Sequence, residues 1–291
     1  MKDTLRRVFI VTAALAMAVE PVAARATPFY LGIGEDKFAN DVTQAAAAIA
    51  PWIPAANIVV DRNTGAFDGD PTNPTAAAIR ADITAIVARL AAGDVLILHY
   101  AGHGRPVSDP TDLSDPDIHT VDPDNLCGCD VSADHADEQI GPGGVGVTDD
   151  FLASSLSRVP AGATAYVILD NCFSGLALDD LGNLPVDFLS TADAVHCAPE
   201  VSKFLPLFVS AFSIVNNTFR ADANRDGKLT EGELAAFTRN FTDTSNPQFF
   251  DGDTHGDLVI TAIPEPCTGL LVVSGFVGVL YKRRSGQGRT H

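Results

Sequence analysis

Apolar residues in the middle of the chain fall in short, nearly unbroken runs. Phe29–Ile33, Asn57–Val60, Val95–His99 and Ala165–Leu169 are four of them, each of strand length. Segments of helical character lie between them. Asn40–Ile49 is rich in alanine, and Asn73-Pro74 opens a helix running to about Ala92, with proline in its first turn and Gly93 past its end. Strands without a polar face, alternating with helices, predict a mostly parallel sheet flanked by helices on both faces, an α/β fold. Arg105–Val147 interrupts this pattern and, rich in Asp, Pro and Gly, reads as one long loop. Thr148-Asp149-Asp150 then caps the next helix, both acids being favoured by its dipole. There is no internal repeat, and no second domain is required.

The two ends have a different character. Residues 1–26 read as a secretory signal: Lys2, Arg6 and Arg7 precede the apolar run Val8–Val19, and Ala24-Arg25-Ala26 prepares a cut before Thr27. A cut after Ala24 fits nearly as well. At the other end, residues 263–291 hold Pro264-Glu265-Pro266, an apolar stretch from Cys267 to Tyr281, and Lys282-Arg283-Arg284. This order resembles the PEP-CTERM sorting tail of Gram-negative bacteria. The resemblance implies passage through the membrane by way of that tail, recognition by an exosortase, and a final place in the periplasm, at the outer surface or in the extracellular matrix. A plain C-terminal anchor is the alternative. The working domain is then 27–262.

Charge sharpens the picture. The 291 residues carry 19 basic and 37 acidic side chains, a net charge of −18. The ends hold eight of the bases and three of the acids, so the body has 11 and 34, a net of −23. Such a surface is unsuited to nucleic acid, which needs clustered Lys and Arg. It suits divalent cations and basic peptides. Twelve of the acids lie between Arg105 and Asp150, against one base.

Two strand ends carry reactive side chains. After Val95–His99 comes Tyr100-Ala101-Gly102-His103-Gly104, and after Ala165–Leu169 comes Asp170-Asn171-Cys172-Phe173-Ser174-Gly175. Sites in open parallel sheets form beyond the carboxyl ends of strands, and an imidazole and a thiol brought together there make a nucleophile–base pair. The neighbouring glycines let a substrate approach the backbone closely.

These two motifs resemble those of caspase-like cysteine peptidases, the metacaspases and their bacterial relatives, over roughly residues 28–261. The resemblance extends to Gly32-Ile33-Gly34 and Asn40-Asp41-Val42. It implies Cys172 as nucleophile and His103 as its acid–base partner. The backbone N–H groups of Gly104 and Cys172 would hold the oxyanion, and Asp170 with Asp41 would select Arg or Lys before the scissile bond. Asp41 reads equally as a helix N-terminal acid. Calcium is the implied regulator, with Asp149, Asp150 and Asp179 as ligands and a fourth from Asp130, Asp134 or Asp137.

A separate signal is independent of the resemblance. Asp222, Asn224, Asp226, Lys228 (through its carbonyl), Thr230 and Glu233 occupy positions 1, 3, 5, 7, 9 and 12 of an EF-hand calcium loop, 222–233, with Gly227 at position 6. Asp251–Asp257 is half such a loop and reads as a turn before the final strand. Of the five cysteines, Cys127 and Cys129 have poor zinc spacing, either could pair with Cys197, and Cys267 belongs to the tail. The remaining histidines (His99, His119, His135, His196, His255, His291) read as structural or exposed. The expectation is an exported, calcium-dependent cysteine endopeptidase acting on proteins or peptides after a basic residue. Two alternatives are a catalytically silent caspase-like calcium-binding surface protein and a calcium-binding matrix component.

Overall fold

A computed structural model describes residues 27–62, 75–108, 118–120, 131–133, 136–140, 146–182, 184–194, 196, 198, 201–240, 246–252 and 258–263. The signal segment, the tail from 264 onward, Cys127, Cys129, Asp130, Asp134, Cys197 and Cys267 lie outside the described residues. So do Asn73-Pro74, His135, His255 and His291.

In chain order the strands are β1 (Pro28–Gly34), β2 (Ile58–Arg62), β3 (Val95–Ala101), β4 (Gly104–Ser108), β5 (Ile118–Thr120), β6 (Val131–Ala133), β7 (Ala136–Ile140), β8 (Val147–Thr148), β9 (Thr164–Asp170), β10 (Asp187–Ser190), β11 (Ile214–Val215), β12 (Thr218–Phe219), β13 (Lys228–Thr230), β14 (Gln248–Asp251) and β15 (Val259–Ala262). The α-helices are α1 (Ala39–Ile49), α2 (Ala76–Val87), α3 (Asp149–Leu156), α4 (Leu178–Leu181), α5 (Phe204–Ala211) and α6 (Glu231–Thr238).

Six strands form the central sheet in the order β14-β10-β9-β3-β1-β2. All neighbours are parallel except the edge pair β10–β14. The sheet is thus mixed and mostly parallel, α/β as the apolar runs predict.

Every residue of β1, β3 and β9 is buried. Alternation sends Leu31, Leu96, Leu98 and Val167 to one face, under α2 and α3, and Tyr30, Val95, Ile97 and Ile168 to the other, under α1, α5 and α6. Helix α1 turns Val42, Ala45, Ala46 and Ile49 inward, at helical spacing. His99 sits on this second face, fully buried, with Nδ1 3.2 Å from the Tyr30 hydroxyl and its ring edge-on to Phe204. Burial lowers its pKa to about 3, so it is a neutral core residue.

Three expectations need correction. Helix α2 ends at Val87, short of Ala92, and Thr75 caps it by accepting the Ala78 N–H at 3.2 Å. The chain leaves the helix because the Asp94 carboxylate takes the N–H groups of Ala91 (2.8 Å) and Thr27 (3.1 Å), tying the turn to β1 instead. Within 105–147 the described residues include strands: β4 pairs antiparallel with β7, and β7 with β8. Thr148 stands at the N-terminus of α3 but makes no side-chain cap; the Asp149 carboxylate takes the Asp150 N–H at 3.1 Å instead.

Candidate active site

The register of β3 against β9 builds the site. The last paired residues are Ala101 and Asp170, and the Gly102 N–H donates to the Asp170 carbonyl at 3.2 Å. His103 and Cys172 each lie two residues beyond that pair, at adjacent sheet ends. Cys172 is half-buried and in no disulfide, with its sulfur 4.0 Å from the carbonyl oxygen of Ala198. Gly104 opens β4 opposite Ile140.

Each remaining residue of the cysteine motif has a structural task. Asn171 is buried, and its Nδ2 donates to the Cys172 carbonyl at 2.9 Å. Phe173 takes a left-handed backbone, φ 59°, unusual for a side chain of its size. Its N–H donates to the His196 carbonyl at 2.9 Å, and its ring is buried. Ser174 Oγ accepts the Ala192 N–H at 3.2 Å and lies 3.3 Å from the Ala192 carbonyl. Gly175 passes so close to Asp193 that a Cβ would sit 2.7 Å from its Cα. The segment after β10 is thereby stitched to the turn carrying Cys172.

Asp170 is buried beside this turn. Burial pushes its carboxyl up to about 6, the Asp41 charge adds to this, and hydrogen bonds from Ser202 and Thr191 oppose it. The Ser202 hydroxyl donates to Asp170 Oδ2 and accepts the Leu205 N–H at 3.0 Å, fastening the carboxylate to the start of α5. Asp41 is in the first turn of α1, half-buried, and burial raises its pKa also. The two acids, far apart in the chain, feel one another across the sheet end.

The acids expected to bind calcium divide into two groups. Asp149 is buried and Asp150 exposed at the start of α3, which packs on α4, the short helix carrying Asp179. Asp137 lies on β7. In the second group, Asp222 accepts N–H groups from Arg225 (2.6 Å), Asp226 (3.2 Å) and Gly227 (2.9 Å). Asn224 accepts from Asp226, and Asp226 from Lys228. Gly227 has φ +79°, β13 follows at once, and Thr230 with Glu233 forms a capping box on α6. Glu233 Oε1 also reaches back to the Ala223 N–H at 3.0 Å. The loop frame is formed and its donors are all oxygen, the class calcium takes. Among the described residues no group of three or more His, Cys, Asp or Glu is gathered as a metal site.

Several contributors are not visible in the sequence as site residues. His196 Nδ1 lies 2.6 Å from Asp193 Oδ1, and Asn246 Nδ2 donates to Asp193 Oδ2 at 3.1 Å. Ser202 and Glu35 likewise belong to no motif; both act through partners distant in the chain. Tyr100 stood inside a motif, but only its position pointed to it.

Residues 37–181 match the family described as Metacaspase, peptidase C14 domain. Metacaspase-4 of Arabidopsis thaliana is 29% identical over 113 residues, 39% of this chain and 23% of that protein. Metacaspase-7 of the same plant is 28% identical over 113 residues, 39% and 24% of the two chains. The match thus spans about a quarter of the length of either relative. A crystal structure of a Geobacter sulfurreducens protein aligns with TM-score 0.49 and 16% identity, covering 82% of this chain and 95% of that one. The family match takes in both His103 and Cys172, so the chain is similar to metacaspase peptidase C14 domains over the two strand ends that carry them.

Proposed function

We propose that the protein is an exported cysteine endopeptidase that hydrolyses peptide bonds after Arg or Lys and depends on calcium. The observation that carries this reading is the equal offset of His103 and Cys172 from the paired residues Ala101 and Asp170. In the reaction, His103 takes the Cys172 proton and the thiolate attacks the scissile carbonyl carbon. The backbone N–H groups of Gly104 and Cys172 donate to the developing oxyanion. The C–N bond breaks as the imidazolium returns its proton to the leaving amine. Water then hydrolyses the thioester, releasing the acid and restoring the thiol. Asp170 and Asp41 form the anionic pocket for a guanidinium or ammonium.

Calcium would bind at 222–233 through Asp222, Asn224, Asp226, the Lys228 carbonyl, Thr230 and Glu233, and at a second place through Asp149, Asp150 and Asp179. Bound there it would fix loops without taking part in bond making. Among the described residues no helix is long and apolar enough to cross a membrane. Export and membrane passage rest on the signal-like residues 1–26 and the sorting-like tail, with exosortase-type machinery as partner and the periplasm, outer surface or matrix as destination.

The test is hydrolysis of an Arg-terminated fluorogenic peptide by the purified protein, with calcium and with chelator. Turnover that requires calcium and is lost in Cys172→Ala supports the reading. Equal turnover by the Cys172→Ala variant would overturn it.

A further inference from the structure

His103 lies between Gly102 and Gly104, on a turn whose own sequence does little to restrict it. An imidazole that must meet a thiol needs its backbone held, and here the holding comes from the turn after β1. The Glu35 N–H donates to the Ala101 carbonyl at 3.0 Å, joining that turn to the end of β3. The Tyr100 hydroxyl lies 2.9 Å from Glu35 Oε2 and 2.6 Å from the carbonyl oxygen of His103 itself. Both side chains are deeply buried, Tyr100 at 0% and Glu35 at 1% exposure. Phe38, from the same turn, sets its ring at 84° to the imidazole with centroids 5.6 Å apart. Any Cβ at Gly102 would lie 2.4 Å from the Tyr100 hydroxyl oxygen, so only glycine admits this contact.

We infer that Glu35 and Tyr100 are positioning residues for His103. The inference rests on His103 being the base proposed above, and it adds two residues that the dyad does not include. The Tyr100 hydroxyl, with one proton shared between two acceptors, bridges the His103 carbonyl and Glu35 Oε2 and so ties both to β3. Tyr100 is on a strand buried throughout, so the base is referenced to the sheet rather than to its glycine-flanked turn. A carboxamide at 35 can serve the same purpose: its N–H donates to the tyrosine oxygen while the hydroxyl donates to the His103 carbonyl.

The experiment measures Cys172 alkylation by iodoacetamide against pH, with the labelled peptide read by mass spectrometry so that the other cysteines are counted separately. It is paired with kcat and KM on the Arg peptide for wild type, Y100F, E35A, E35Q and H103A. Melting curves identify the folded variants, and the E35A–E35Q pair carries the test if Y100F does not fold. The expectation is a kcat about tenfold lower in Y100F and E35A with KM within about twofold. The alkylation inflection should move toward higher pH in both, and E35Q should recover most of what E35A loses. An H103A profile that differs from wild type beside unchanged Y100F and E35A profiles overturns the inference and leaves the dyad standing. An H103A variant indistinguishable from wild type in both measurements overturns the dyad and the inference with it.

Discussion

The Phe173 N–H and the His196 carbonyl, 2.9 Å apart, join the left-handed turn after Cys172 to the segment beyond β10. A non-glycine residue in this region costs on the order of 1–2 kcal/mol, so the turn depends on its surroundings. Asp193, bonded to both His196 and Asn246, anchors that segment. Replacing Asp193 by Ala leaves both donors without this acceptor. The expected result is a stability loss of about 0.5–1 kcal/mol in urea unfolding, both donors being open to water, and slower hydrolysis of the Arg peptide. An unchanged urea midpoint would count against the anchor.

Asp170 makes stability depend on pH in an unusual direction. Burial, with Asp41 adding to it, holds the folded-state carboxyl at about 6, whereas an unfolded chain titrates it near 3.9. The folded protein therefore binds this proton more tightly. The stabilisation is complete below about pH 4 and fades as pH rises through 6. In Asp170→Asn that fade is absent, so urea midpoints measured from pH 5 to 8 should move in favour of the variant. The change has a ceiling of about 3 kcal/mol. Over the same range KM for an Arg peptide on wild type should fall as the carboxylate forms.

Glu233 allows calcium binding to be separated from folding. Glutamine keeps the capping geometry with Thr230 but removes the charge and one strong oxygen ligand. Glu233→Gln has one oxygen to serve the capping box and the Ala223 N–H, so it should unfold about 0.5–1.5 kcal/mol below wild type in chelator, and it should also lose most of the rise in melting temperature produced by added calcium. An equal calcium response in both proteins would remove Glu233 from the site.

The second core face depends on an aromatic cluster. Phe208 of α5 packs on Tyr30, His99, Phe204 and Phe212 and is fully buried. Phe208→Ala should cost about 3–5 kcal/mol, read as a lowered urea midpoint. Because Ser202 ties Asp170 to the start of α5, the same variant should also raise KM for the Arg peptide.

The buried parallel strands were legible because they are continuous in sequence: β1, β3 and β9 each contain an apolar run with no polar face. The ends of two of them carried the reactive pair in plain view. β10 was not legible, since Asp187-Phe188-Leu189-Ser190 is short and has polar residues at both ends, and β14 is a short antiparallel edge. The strands between Arg105 and Thr148 escaped notice because their antiparallel pairing follows no run of apolar residues. Glu35 with Tyr100, 65 positions apart, and Ser202 with Asp170, 32 apart, meet only through the sheet. No spacing rule reaches that far.

The matched register of β3 and β9 also constrains how this chain can change length. His103 and Cys172 are aligned by counting from the same rung, so losing one residue inside β9 alone would shift the thiol by one rung and send it toward the opposite face. A loss in β3 would do the same to the imidazole. Insertions and deletions are therefore tolerable outside the two strands and their end motifs, the long connection between them included, but inside β3 or β9 only in matched pairs. Any related chain that keeps both side chains should also keep this count.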